Sequence, residues 1–228
     1  VALNVYSLQS SEHLDIPKLW KALDLEGNQQ AGSTGGLFDS SENYAQPTGV
    51  YEEYFELLHK LKTSFVEAKN LGSLIQIENQ DLNNLRGLRE ELEKKAQGSD
   101  PVAKQTALEL LPIVNQAICL AQRYDSVIAN PPYMGKKAMN SGLKKLGSDH
   151  YPDSKLDIFT MFMERCGLLI NEVGYNAQVN MQAWMFLSSY ENLRENLYGK
   201  FTFENNAHLG TRAFSEISGE IVKTVAWI

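Results

Sequence analysis

The sequence predicts an α/β fold, part of a doubly wound sheet that carries a largely helical insertion. Three observations predict it. A short, partly β-branched apolar run at residues 124–129 (YDSVIA) halts at Pro131-Pro132, with the length and bounds of a buried strand. Residues 156–170 repeat apolar positions at helical spacing, and Gly174 separates them from a second strand-like run at 175–181. Helix, glycine, strand is the αβ unit of such a sheet. Ahead of both lie three long segments with leucine and aromatic residues at helical spacing.

Taken in order, residues 4–8 read as a short strand and 16–25 as a helix. A glycine-rich polar loop, EGNQQAGSTGGLFDSSENYAQPTG, follows. A helix over 51–70 carries Tyr54, Phe55, Leu58, Leu61, Phe65 and Val66, and Leu82, Leu85, Leu88 and Leu92 mark a second. The third begins at Ser99-Asp100-Pro101, a cap followed by proline in the first turn, and is expected to be interrupted or kinked at Pro112. These stripes are short enough to be core packing rather than coiled coil. Residues 1–25 thus start a partial sheet, 26–123 form a mainly helical insertion, and 124–228 form the half that bears the proline turn. In that half Ile158, Phe159, Phe162, Met163, Cys166, Leu169 and Ile170 face a core, and Asp157 stands in the first turn, where the helix dipole favours an acid. The segment QAWMFLSSYENLRENL reads as a helix closed by Gly199, with Trp184 as buried packing, and 203–208 and 221–228 as two further strands.

Composition narrows the chemistry by exclusion. Of 228 residues 43% are hydrophobic and 21% charged, enough for a sizeable core, and no signal peptide or apolar span is evident, so a soluble, cytoplasmic protein without membrane contact is expected. Cys119 and Cys166 stand alone and the four histidines are scattered, which argues against a zinc site or a disulfide framework; no metal is expected. Residues Gly32 to Gly36 lack the Gly-Lys-Ser/Thr ending of a phosphate loop and follow no clear strand. Charge is uneven. Residues 1–123 hold eleven basic and seventeen acidic residues, a balance of −6, whereas 134–155 carry Lys136, Lys137, Lys144, Lys145 and Lys155 against Asp149 and Asp153, a local +3 in a chain of net −7. A basic loop directly after the turn suits polynucleotide phosphate, and ordinary solvation is its bland alternative.

The turn itself carries the chemistry. Pro131 and Pro132 donate no backbone hydrogen bond and restrict the residues before them, so the Asn130 side chain and the Pro131 carbonyl form a rigid, acceptor-rich corner at a strand's carboxyl end, beside the ring of Tyr133. Such a corner fits a planar amine. An exocyclic nitrogen has its lone pair delocalised into its ring; two acceptors on its N–H bonds draw it towards tetrahedral geometry and make that pair available. Tyr133 can stack on the ring, worth about 1–3 kcal/mol, against the few kcal/mol of extruding a base from duplex.

Asn130-Pro131-Pro132-Tyr133 resembles the catalytic motif of amino-group methyltransferases that use S-adenosylmethionine. The stretch that follows, from MGKKAMNSG through KLDIFTMFMERCG to AHLGTRAF, is similar to the large adenine-specific DNA methyltransferases of restriction and phage-defence systems, particularly the BREX type. The resemblance implies a Rossmann-like sheet, S-adenosylmethionine as cofactor, DNA with a flipped adenine as partner, and contacts with defence-system subunits. It implies Asn130, Pro131, Pro132 and Tyr133 as catalytic residues, Phe214 as a second aromatic face, Lys136 and Lys137 towards substrate, and Asp157, Ile158 and Phe159 beside the cofactor. The glycine-rich cofactor turn of such enzymes is not found ahead of residue 130. The sequence is therefore expected to be a fragment of a larger enzyme, inactive alone, whose remaining domains complete the site. Two alternatives stay open: methylation of RNA or protein glutamine, and a noncatalytic DNA-binding or assembly subunit.

Overall fold

The computed structural model describes residues 5–27, 47–210 and 223–228. The chain divides after Gln122 into two units. The first is helical: α1 (Ile16–Leu23), α2 (Val50–Ser64), the short α3 (Ala68–Leu71), α4 (Leu82–Gln97) and α5 (Pro101–Ala121). Leu58, Leu61, Phe65, Leu85, Leu88, Leu92, Leu110 and Val114 meet in one buried core, as the leucine spacing requires. Asp100 caps α5 as expected, accepting from the amides of Val102 (2.8 Å) and Ala103 (3.3 Å), with Pro101 at the first helical position.

Three expectations for this unit fail: the helix expected over 51–70 ends at Ser64, with Phe65 as its C-cap and α3 separate, and two others fail for identifiable reasons. Residues 5–8 form no strand; the neighbouring backbone of Gln9 pairs instead with a side chain, donating to Gln116 Oε1 (2.7 Å) and accepting from Gln116 Nε2 (3.0 Å). Of the residues expected to open a sheet, Leu8 packs against the helical core and Val5 is 82% exposed. Nor does Pro112 interrupt α5, which runs unbroken through it. Pro112 is exposed, and the carbonyl it leaves unbonded belongs to Leu108, itself 47% exposed, where water can serve it. Buried Leu110, Ile113, Val114 and Ala117 hold the helix on either side.

The second unit holds the sheet. Its strands are β1 (Tyr124–Ala129), β2 (Ile170–Met181), β3 (Asn206–Gly210) and β4 (Thr224–Trp227), in the order β1-β2-β4-β3, with β1 parallel to β2 and β4 antiparallel to both its neighbours. Between β1 and β2 run α6 (Ser141–His150) and α7 (Ile158–Leu169), a helical crossover of the kind parallel strands require. Asn140 caps α6 through Leu143 N (2.9 Å), so the lysine-rich stretch expected as a loop contains a helix, with Lys144 and Lys145 exposed on it. After β2 come 3₁₀ turns at Gln182–Met185 and Ser188–Tyr190, then α8 (Glu191–Lys200). Gly199 lies inside α8 rather than closing it.

Gly174 likewise is no helix stop. Helix α7 ends at Leu169 and β2 starts at once; Gly174 sits where the register jumps from Tyr124↔Ile170 to Ser126↔Tyr175. A Cβ there would stand 2.9 Å from the Tyr124 carbonyl oxygen and 3.1 Å from that of Asp125, so only glycine lets the bulged strand lie against β1. β1 is also less buried than its apolar sequence suggests. Helix α7 covers the face of β1 and β2 that carries Val127, Ala129 and Gln178, whose Nε2 donates to the Phe162 carbonyl (3.3 Å). The opposite face presents Ile128, 83% exposed, beside Tyr175.

Cys166 lies inside this unit, and burial pushes its thiol up to about 11. Burial raises the Cys119 thiol as well, but Cys119 is only partly buried whereas Cys166 is buried, so alkylation of native protein is expected to label Cys119 before Cys166. Peptide mapping after timed exposure to iodoacetamide checks this; equal rates would contradict it.

Candidate active site

Strand β1 delivers Asn130 to its carboxyl end, where open α/β sheets bind ligands. Four residues later the chain is already fixed again. Met134 N donates to Asp157 Oδ1 (3.0 Å), Met134 accepts at its carbonyl from Ile158 N (3.2 Å), and Lys136 N donates to the Leu156 carbonyl (2.8 Å). Gly135 and Asp157 thereby form an isolated antiparallel bridge. The turn is thus held by β1 on one side and by the entry to α7 on the other, with two prolines stiffening what lies between.

Within it the four motif residues differ in exposure. Asn130 and Pro132 are exposed, Pro131 is buried, and Tyr133 is half-buried. The Tyr133 ring meets Phe159 edge-on, with centroids 5.9 Å apart and planes at 81°, and its hydroxyl donates to the Val179 carbonyl of β2 (3.4 Å). Burial raises the phenol above its ordinary pKa, and the nearby Asp157 charge adds to that. Tyr133 is therefore a neutral, oriented ring rather than an acid or base at neutral pH.

Asp157 serves as the N-cap of α7, one position earlier than the first turn expected from sequence. Its Oδ1 accepts from Phe159 N (3.3 Å) as well as from Met134 N. Burial raises its pKa, while the backbone amides of Met134, Phe159 and Ile158 pull it back down. The signal was present in the sequence, since an acid directly before IFTMFM marks a cap. What sequence could not reveal is that the same oxygen also grips the loop 23 residues upstream.

The three residues expected beside the cofactor are buried at the entry to α7. Asp157 is 6% exposed, Ile158 5% and Phe159 0%, and the two amide bonds of the carboxylate both fall on Oδ1. Lys136 and Lys137 are exposed just past the turn. Phe214 lies outside the described residues. A cavity of about 850 Å³ sits at the other end of β2, against Asn171 to Asn176, Arg123, Lys200 and Trp227, and none of the motif residues lines it. Among the described residues no cluster of three His, Cys, Asp or Glu could hold a metal.

Comparison with known proteins places this geometry in a family. The model of the Eco57I restriction-modification methylase matches residues 54–214. The adenine-specific methyltransferase BrxX of Escherichia coli O9:H4 (strain HS) is 48% identical over 228 residues, all of this chain and 19% of that protein. The adenine-specific methyltransferase PglX of Lacticaseibacillus casei (strain Zhang) is 41% identical over 169 residues, 72% of this chain and 14% of that protein. The chain thus spans less than a fifth of the length of either relative.

Proposed function

Because the chain belongs to the Eco57I restriction-modification methylase family, we propose that it supplies the amine-accepting corner of an adenine-N6 DNA methyltransferase acting in restriction or phage defence. The observation that carries this reading is Asn130, exposed at the carboxyl end of β1 on a turn braced at both ends. The Asn130 side-chain oxygen and the Pro131 carbonyl accept the two N–H bonds of the target amine, and the extruded base stacks against Tyr133. The methyl donor, S-adenosylmethionine, supplies an electrophilic methyl when bound. Asn130 and Pro131 hold the amine nitrogen for attack along its lone pair, and the proton then lost from nitrogen passes to solvent. No residue of the turn needs to ionise.

The sheet supports the same reading at the level of fold. Parallel strands in doubly wound sheets are covered on both faces, and here Ile128 and Tyr175 lie bare beside a β1 edge that has no partner among the described residues. We read 124–228 as part of a Rossmann-like sheet completed by the rest of a longer, cytoplasmic enzyme, with DNA on the side of Lys136 and Lys137. No described helix is long and apolar enough to cross a membrane. An RNA or glutamine substrate would use the same corner; the names of both relatives favour adenine.

The test is methyl transfer by the full-length enzyme, with any required defence-system partner supplied, to DNA, RNA and glutamine-bearing protein in parallel. Label in DNA alone is expected, and label in another acceptor would overturn the substrate. Side-chain roles separate in the same assay. Tyr133→Phe keeps the ring and gives up only a 3.4 Å hydroxyl contact, so kcat/KM is expected within about threefold of wild type. Tyr133→Ala removes the stack and is expected to lower kcat/KM by roughly 10- to 100-fold. Equal losses in both variants would point to the hydroxyl instead.

A further inference from the structure

We propose that Asp157 is a positioning residue for methyl transfer: its carboxylate ties the acceptor turn to the amino terminus of α7 and so sets where Asn130 and Tyr133 stand. The inference rests on the proposed methyltransferase reading and adds to it a residue that never touches substrate. One oxygen, Oδ1, accepts both Met134 N (3.0 Å) and Phe159 N (3.3 Å), joining the residue after Tyr133 to the first turn of the helix. The bridge is reinforced on each side by Ile158 N to the Met134 carbonyl and Lys136 N to the Leu156 carbonyl. The helix's second residue, Phe159, is also the one whose ring meets Tyr133. Backbone and ring of the turn are therefore placed by the same two residues.

The spacing makes this tether decisive. Only Asn130, Pro131, Pro132 and Tyr133 lie between the end of β1 and Met134, and two of the four are prolines with restricted φ. With Met134 pinned, the turn has little freedom left. With the Met134 amide released, only the Ile158 N and Lys136 N backbone bonds still hold the turn, and the Asn130 oxygen gains room to drift from the amine; about 1 Å of misplacement can cost on the order of 100-fold. The 22 residues between Met134 and Asp157 include all of α6, so chain continuity alone does not hold the turn to α7; the Asp157 carboxylate and the backbone bonds of Met134 and Lys136 do.

The same geometry separates this role from the cofactor contact that the family resemblance implies. Both hydrogen bonds fall on Oδ1, so Asp157→Asn retains an acceptor for each while removing the charge. Asp157→Ser keeps a capping oxygen for α7 but is one atom too short to serve Met134 as well. In the full-length enzyme Asp157→Asn is expected to keep kcat within about threefold. Asp157→Ser is expected to lose roughly 10- to 100-fold in kcat, with KM for S-adenosylmethionine within about twofold and with unchanged unfolding temperature. Amide hydrogen exchange at Met134, read by mass spectrometry or NMR, is expected to speed up in Asp157→Ser and not in Asp157→Asn. A Ser variant with wild-type kcat, an Asn variant as damaged as Ser, or a raised KM for S-adenosylmethionine at unchanged kcat would each overturn the proposal. If wild-type enzyme methylates nothing, the methyltransferase reading fails by itself, and unchanged exchange at Met134 in the Ser variant would still show that the tether is absent.

Discussion

Asn130→Ala is expected to lower kcat of the full-length enzyme by at least about 100-fold, and to leave KM for S-adenosylmethionine nearly unchanged. The side chain is exposed at the end of β1, so its loss removes no core packing. On the proposed reading, what disappears is an acceptor for the amine on whose nitrogen positive charge develops. Removing one such preorganised group typically costs 10²–10³ in kcat. On the same reading Asn130 serves the amine and not the methyl donor, which places the loss in kcat. Asn130→Asp offers a useful contrast, because it keeps an oxygen in place and adds a charge; partial activity is expected, above that of Ala. Steady-state kinetics on a single-site oligonucleotide checks both variants. A rise in KM for the donor with kcat intact would move Asn130 from the acceptor side of the reaction to the donor side.

The largest expected effect on stability is at Trp184, in the 3₁₀ turn that follows β2. Its side chain is 0% exposed, stacked on Phe203 (5.8 Å between centroids, 28° between planes) and tilted against Trp227 (6.2 Å, 59°). Trp184→Ala empties the centre of the cluster that also holds Phe159, Met163, Leu193, Leu197 and Val225, and is expected to cost about 3–5 kcal/mol. Trp184→Phe is expected to cost much less than the area lost implies. The indole N–H is buried with no hydrogen-bond partner among the described residues, and phenylalanine removes that uncompensated group. Urea denaturation of the full-length protein, followed by the fluorescence of the remaining tryptophans, compares the two. Equal destabilisation would mean that the N–H is satisfied in solution.

These residues also show what could be read from the sequence. Asp100-Pro101 and the leucines at 85, 88 and 92 specify their helices through local chemistry, a cap and a 3.6-residue period, and both were legible. So was the end of β1 before Pro131-Pro132, because two consecutive prolines constrain a turn wherever it sits. The failures all depend on what lies beside a residue. Gly174 resembles a helix stop until β1 is seen pressing on it at 2.9 Å. Gln116 pairs with the backbone of Gln9 across 107 residues, so no local pattern could have forecast that residues 5–8 would not enter a sheet. Ile128 has the sequence of a buried strand and 83% exposure, because burial belongs to its surroundings rather than to its own apolarity. Asp157 combines both cases: its cap was legible, and its grip on Met134 was not.

The most direct measurement is the methylated nucleoside formed by the full-length enzyme from labelled S-adenosylmethionine and unmethylated DNA, wild type beside Asn130→Ala, after digestion to nucleosides. Label in N6-methyladenine that falls by at least about 100-fold in the variant is the expected result and identifies both the reaction and the residue. Label in N6-methyladenine that is undiminished in Asn130→Ala would contradict the role of the turn, and label in another base would contradict adenine as the target.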